Sequence, residues 1–490
     1  MSTFPQTPDF IGLNKPLTEE YDIDQLEVEG TIPADVKGSF FRAVPSPSFP
    51  PCVEDVAGGL SGDGMVSVIR FEGGNKASTA MRFVQTPRLQ AEKAAGRAVF
   101  GKYRNPYTDQ PEARGIDRAT VNTTPLFHGG KLLMTKEDSQ AWQVNPHTLE
   151  TVGRYDFDGQ FKSQTFTAHT RIDGVSGELF FFGYEADGLA SATVSYAIAD
   201  KSGKLLREQW FTAPYCSMMH DFAITEHYAI FPVYPTKCNL DRLKAGGDHW
   251  IHDADEDSWL GVMPRYGNVS DMRWFKGPKG VYAFHMLGAF EDGRGNIHFD
   301  HCAGDSQLFH FIRKASGIYK EQHEINPRLA RWTVQWDGPR EVTETVIGPP
   351  GDYPVIPAAR QGRPYDHGWL LTMNPQRSLP PVVGGVAHAM FDMLLRLDFT
   401  GKPPQVYAHK AMNLTFNEPV HVPGAQPGHE GWLLTVVDEQ LGPDAFAHAC
   451  WIFNAGDVTA GPVAKVKLPR RLRPQIHGCW VGADQLAAAA

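Results

Sequence analysis

The chain has 490 residues, with 46 Lys and Arg against 56 Asp and Glu, and its formal net charge of −10 excludes general nucleic-acid binding, which needs clustered cations to displace counterions. Hydrophobic residues make up 42% and charged residues 21%, which excludes wholesale disorder, and no apolar run approaches the roughly 20 residues of a membrane-spanning helix. The 48 Gly and 37 Pro are spread along the whole length, as expected of many turns between short strands. Length alone admits several average domains, but closed all-β architectures run larger, so residues 1–490 are read as a single domain. Six cysteines without a Cys-x-x-Cys pair, and nothing resembling a signal peptide over residues 1–15, point to free thiols in a reducing cytoplasm.

Alternation over Leu26–Pro33 predicts a strand and a turn, and residues 38–45 a second strand. The Gly-Asp-Gly at 62–64 reads as a turn feeding a strand through Phe71; it carries no phosphate signature, because no helix follows it. Residues 88–103, dominated by Ala, Glu, Lys, Gln and Arg, predict a helix, which in a strand-rich chain belongs to a cap. From about residue 120 a rhythm of Gly-x-Leu-apolar-apolar segments appears, at 128–135, 177–183, 203–208, 367–372 and 431–437. Each is followed by an apolar run ending in Asp or Asn or by a new turn, and the degenerate, unevenly spaced recurrence is taken as roughly that of propeller blades of ~40–50 residues. The fold class read from this is all-β, a seven-bladed β-propeller capped by a helical segment near 88–105 and irregular loops near 240–280 and 350–385; a pair of β-sandwiches is the alternative. The basic run Lys467, Arg470, Arg471 and Arg473 reads as a solvated edge, as does the acidic loop around His249 and His252.

Four histidines, His169, His220, His285 and His477, each lie at the end or start of an apolar, strand-like run, where a solvated side chain is out of place and a buried imidazole needs a partner. Strands converging on one axis would gather them, and four neutral imidazoles suit divalent iron, copper or zinc. His298 and His301, three apart on a strand, face opposite sides and make a poor pair of ligands.

The sequence resembles the carotenoid cleavage oxygenases, and within them the lignostilbene dioxygenase branch. The resemblance is carried by Glu-Gly-Thr-Ile-Pro at 29–33, Gly-Asp-Gly-Met at 62–65, Phe-Gly-Lys-Tyr-Arg-Asn-Pro at 100–106, Lys-Glu-Asp at 136–138, Ser-Gln-Thr-Phe-Thr-Ala-His at 163–169, Met-Met-His-Asp-Phe at 218–222 and His-Gly-Cys-Trp-Val at 477–481. It implies a capped seven-bladed propeller with one Fe(II), held by four histidines matching His169, His220, His285 and His477, and O2 as co-substrate. It implies three carboxylates behind those ligands, at Glu137, Asp352 and Glu418, with Asp352 standing where the family usually has Glu. The lignostilbene branch implies a Tyr and a Lys that grip a phenolic oxygen, matching Tyr103 and Lys136. Leu60 stands at a position where some members present a phenyl-contacting Phe, and Thr123 matches a Thr that crowds a vacant metal position.

The activity so implied is cleavage of the central C=C of a 4-hydroxystilbene to two aromatic aldehydes such as vanillin, by an enzyme whose assembly is compatible with a homodimer. Cleavage of a carotenoid or other polyene is the alternative within the fold. A metal-free propeller acting as an interaction scaffold is the alternative of another class.

Overall fold

A computed structural model describes residues 3–307, 309, 311–315, 326–379, 382, 384 and 391–489. The chain groups into two compact units, one comprising residues 1–136, 141–155 and 369–490, the other 137–140 and 156–368.

In the first unit a five-stranded sheet runs in the order Tyr21–Ile23, Lys76–Phe83, Asp63–Gly73, Gly38–Ser46, Gly478–Gly482. Its closure is long-range. Phe41 lies opposite Cys479, and Ala43 N–H donates to the His477 carbonyl at 2.9 Å, so the C-terminal histidine is fixed by a fully buried N-terminal strand. A second sheet takes four consecutive strands, Thr124–His128, Lys131–Thr135, Ala141–Val144 and Thr151–Tyr155. Its first hairpin turns on Gly129 and Gly130 at φ +56° and +75°, the left-handed pair a two-residue hairpin loop requires. A third sheet joins Val28–Gly30 to Pro462–Leu468, Ala445–Asn454, Trp432–Gly442 and Leu414–Phe416. Phe40, Ile69, Leu434, Ile452 and Val466 alternate inward to fill one continuous core of this unit.

The second unit contains three four-stranded antiparallel sheets: one from Arg171–Ile172 to Leu205–Thr212, one from Ala223–Ile224 to Arg273–Lys279, and one from Tyr282–Glu291 to Thr343–Gly348. A small three-stranded sheet of Thr236–Lys237, Ile251–His252 and Arg313–Lys314 is added to them. A further four-stranded sheet takes Asp352–Val355, His367–Thr372, Met393–Asp398 and Gln405–Ala408 in order, and its residues from 369 onward are counted in the first unit. Sheets of four or more strands number seven among the described residues, one for each blade expected.

Several local expectations are corrected. The helix is shorter, Pro87–Ala95: Thr86 caps its N-terminus by accepting Leu89 N–H, and Gly96 ends it at φ +64°. Residues 97–103 continue as loop. The span 240–280 is not an irregular loop, since it holds the strands Asp257–Pro264 and Arg273–Lys279, and 350–385 likewise holds Asp352–Val355 and His367–Thr372. Part of that second span, at 380, 381, 383 and 385, lies outside the described residues. Gly62 is extended rather than turning, and Asp63 opens the strand with its carboxylate buried against the Arg88 guanidinium at 2.5 Å.

The basic run is not a free edge either. Arg473 is buried, and Arg471 donates to the carbonyls of Gly12 and Lys15 at 2.8 and 2.6 Å. His249 and His252 are both buried, although Asp255 beside them is exposed. No described helix is long and apolar enough to cross a membrane.

Candidate metal centre and active site

One ligand atom from each of His169, His220, His285 and His477 lies within 4.8 Å of the others. His169 follows the buried Phe166–Ala168 run, and its backbone N–H is turned by the Thr167 hydroxyl at 3.0 Å. His220 precedes the strand Ala223–Ile224, and His285 lies within Tyr282–Glu291. The rings of His169, His220 and His285 stand 4.6 to 5.2 Å apart at steep mutual angles, an edge-on arrangement that points nitrogens rather than faces at a common centre.

Carboxylates fix three of the four rings. Glu137 accepts Nδ1–H of His220, Asp352 accepts that of His285 at 2.7 Å, and Glu418 accepts that of His477 at 2.9 Å. A carboxylate on Nδ1 selects the tautomer with the proton on that nitrogen, which leaves a lone pair on Nε2. The Nε2 atoms of His169 and His220 stand 3.0 Å apart. Converging lone pairs repel unless a cation lies among them, so the donor set fits a divalent metal, and imidazole suits the later first-row ions.

Asp352 reaches its histidine directly despite the missing methylene. The residue after it, Tyr353, has φ +52°, and its N–H donates to the same Oδ1 at 2.9 Å. This left-handed turn brings the short carboxylate to the ring, and the Tyr353 side chain stacks on His285 at 5.3 Å and 24°. Burial, and after it the charges of Asp352 and Asp221, push the Cys302 thiol well up, so it stays protonated beside Asp352.

A residue given no role in the sequence reading ties the ligand segments together. Asp221, buried next to His220, accepts from Arg171 Nη2 at 2.6 Å and from Met286 N–H at 2.9 Å, while Arg171 Nε also donates to the Phe222 carbonyl at 2.8 Å. Arg171 lies two residues after His169 and Met286 one after His285, so a single carboxylate holds three ligand-bearing segments in register. The Met-His-Asp sequence was the only signal for it.

Lys136, Tyr103, Leu60 and Thr123 come together by another set of contacts. The Lys136 ammonium, fully buried, donates to the Leu60 carbonyl at 2.6 Å and to Asn122 Oδ1 at 3.1 Å, and lies 5.2 Å from the centre of the buried Tyr103 ring. Leu60 thus contributes its backbone oxygen to this group. Asn122, which the sequence reading passed over, organises it: its amide also donates to the carbonyls of Leu60 and Gly62 at 3.0 and 2.7 Å, and its oxygen accepts the Thr123 hydroxyl at 2.9 Å. The Thr123 carbonyl in turn accepts the backbone N–H of His477 at 3.1 Å.

Comparison with known proteins agrees with this geometry. The retinal pigment epithelial membrane protein family, RPE65, matches residues 14–482. The chain belongs to this family, the carotenoid cleavage oxygenases. Among its relatives is the lignostilbene-alpha,beta-dioxygenase isozyme III of Sphingomonas paucimobilis, 39% identical over the whole of both chains. Another is the isoeugenol monooxygenase of Pseudomonas nitroreducens, 36% identical over 97% of this chain and 98% of that one. The crystal structure of the Pseudomonas brassicacearum lignostilbene dioxygenase superposes with a TM-score of 0.93 at 35% identity, covering 99% of this chain and all of that one. The fold of this carotenoid cleavage oxygenase is therefore the seven-bladed β-propeller, and its activity is that of an alkene-cleaving dioxygenase.

A second group of donors lies apart from the four histidines: ligand atoms of Glu185, Cys238 and His249 also fall within 4.8 Å of one another.

Proposed function

We propose that the chain holds one Fe(II) on His169, His220, His285 and His477 and cleaves the central C=C of a 4-hydroxystilbene with O2, giving two aromatic aldehydes such as vanillin. The observation that carries the substrate assignment is the buried ammonium of Lys136 beside the Tyr103 ring, a device suited to a phenol and of no use to a hydrocarbon polyene. Names of the relatives, which act on lignostilbene and isoeugenol, support the same substrate class.

Bound at the four imidazoles, ferrous iron supplies the activation of O2. The protein's own residues do the rest. Glu137, Asp352 and Glu418 keep three ligand rings in the Nδ1–H form and raise their basicity. Tyr103 and Lys136 bind the phenolic oxygen, and the ammonium lowers the phenol's pKa by favouring its charged form. The phenolate so held pushes electron density into the conjugated double bond. Asn122 and the Leu60 carbonyl fix the ammonium where that oxygen binds. Leu60 offers an aliphatic contact to the substrate ring, and Thr123 narrows the space beside the metal. Residues 88–105, which carry Tyr103, form the capping side of the substrate site.

The test is Lys136→Ala, with folding checked by circular dichroism. Turnover of a 4-hydroxystilbene should fall on the order of 10²–10³-fold, the cost of removing one preorganised charge partner, while bound metal is retained. Near-normal turnover of the phenolic substrate, or equal turnover of its 4-methoxy counterpart by the wild type, overturns the phenol grip.

A further inference from the structure

We propose that Glu185, Cys238 and His249 form a second metal site, with the Cys216 thiol next to Cys238 available as a further donor, and that it takes a structural zinc-class cation. These four residues come from three stretches of one unit. Glu185 follows the buried strand Leu179–Tyr184 at φ +52°, a left-handed position that turns its carboxylate back into the protein. The isolated antiparallel bridge of Ser217 and Lys237 sets Cys216 directly opposite Cys238, and Cys238 N–H donates to the Cys216 carbonyl at 3.3 Å. The two thiols are therefore neighbours across this bridge, and the Cys238 sulfur lies within 4.8 Å of a His249 ring nitrogen.

The chain then makes the short helix Leu240–Lys244 and returns to His249. Arg242 locks this return, donating to the carbonyls of Lys237, Asp248 and His249 at 2.8 to 2.9 Å, so Cys238 and His249 are held at a fixed separation before any ligand arrives.

The donor set is informative. One carboxylate, one imidazole and one or two thiols, in a site where the His249 and Glu185 side chains are 0% and 2% exposed, is an N/O/S combination that tetrahedral zinc accepts and that magnesium or calcium does not. His249 Nε2 and Glu185 Oε2 stand 3.0 Å apart. That is close to the roughly 3.3 Å edge subtended by two tetrahedral bonds of about 2.0–2.1 Å. The other oxygen of Glu185 accepts Ala190 N–H, which orients the carboxylate from behind in the manner of an outer-sphere partner.

Cys216 lies four residues before His220 on the same segment, where Ser217 Oγ donates to the Tyr234 carbonyl at 2.6 Å and Met218 N–H to that of Thr236 at 2.9 Å. A cation here would therefore clamp the root of a segment that carries an iron ligand. Its contribution would be structural, with no part in the oxygenation.

Zinc chloride is titrated into iron-loaded wild-type protein and into the Cys238→Ser and His249→Gln variants, followed by dialysis and elemental analysis. Wild type should retain one zinc per chain with its iron undiminished, and each variant should lose that equivalent, with at least a tenfold weaker zinc affinity and the iron unchanged. Cobalt(II) in place of zinc should give a thiolate charge-transfer band that Cys238→Ser lacks. If Cys238→Ser fails to fold, His249→Gln and the wild-type cobalt spectrum carry the test. Absence of a retained second equivalent in the wild type, retention unaltered by both variants, or a Cys216–Cys238 disulfide with no zinc uptake would each overturn the site.

Discussion

Among the described residues two groups of side chains could hold a metal ion, and they differ in where the carboxylate stands. At the four-histidine centre Glu137, Asp352 and Glu418 hold Nδ1 from outside and leave Nε2 for the metal; at the other, Glu185 meets Nε2 of His249 itself, with a thiol alongside. Carboxylates behind the ligands keep the inner set neutral and leave a bound metal its full positive charge for chemistry, whereas a carboxylate and thiolate within the set neutralise it and suit a structural ion. The position of one side chain thus separates a reactive centre from an inert one.

The largest effect should come from removing a ligand. His220→Ala takes away a donor and leaves Glu137 buried without its imidazole, so bound iron and O2-dependent cleavage should both be lost, by elemental analysis and oxygen-electrode assay. Iron content near that of the wild type would show that the centre does not depend on this ring, and the contrast between the clusters would lose its basis.

Next comes the carboxylate that joins the ligand segments. Asp221→Asn leaves the Arg171 guanidinium, 11% exposed, without its counter-charge while conserving shape. Breaking a buried pair from one side costs about 3–5 kcal/mol, to be read as a lowered urea midpoint at unchanged slope, together with weaker retention of iron. A loss under about 1 kcal/mol would mean that the surrounding backbone, rather than this carboxylate, sets the spacing of His169, His220 and His285.

How far the sequence showed this in advance follows from which interactions are local. Glycine-punctuated apolar runs gave the blades, because a strand's alternation and its turn are written in adjacent residues. The four histidines were legible as polar groups at the ends of buried runs, and the resemblance then supplied the carboxylates. Asp221 and Asn122 were not, since their partners, Arg171 and Met286 for one and Leu60 and Lys136 for the other, are distant in the chain. The strands Asp257–Pro264 and Arg273–Lys279 were hidden by the acidic lead-in and the Pro and Gly within them, and their pairing shifts register between Asp257 and Trp259. Whether Asp352 reaches His285 depends on one backbone angle at Tyr353, which no composition reveals.

A smaller effect distinguishes the carboxylates behind the ligands from the ligands themselves. Asp352→Asn can still accept Nδ1–H of His285 but no longer with a charge, so iron affinity should fall about 10–100-fold, measured by competition with a chelator, and the fold should be unaffected. An unchanged affinity would show that the Tyr353 turn and the stacked ring orient His285 without help from the carboxylate's charge.

A different kind of effect, read from the pH dependence of stability, is that of a histidine in neither cluster. His301, buried against Trp332 and hydrogen-bonded to the Tyr234 hydroxyl, has its pKa pushed down to about 3 by burial. The unfolded chain takes up a proton at this residue below about pH 6.5, and the folded one does not until about pH 3. Stability is therefore present in full above pH 6.5 and declines as pH falls toward 3, by about 1.4 kcal/mol per pH unit from this group. His301→Gln should be less stable at pH 7 yet lose less between pH 6 and pH 4 than the wild type, in urea titrations of the metal-free proteins. Parallel losses would place the acid sensitivity on other buried groups and would leave this ring's neutrality unsupported.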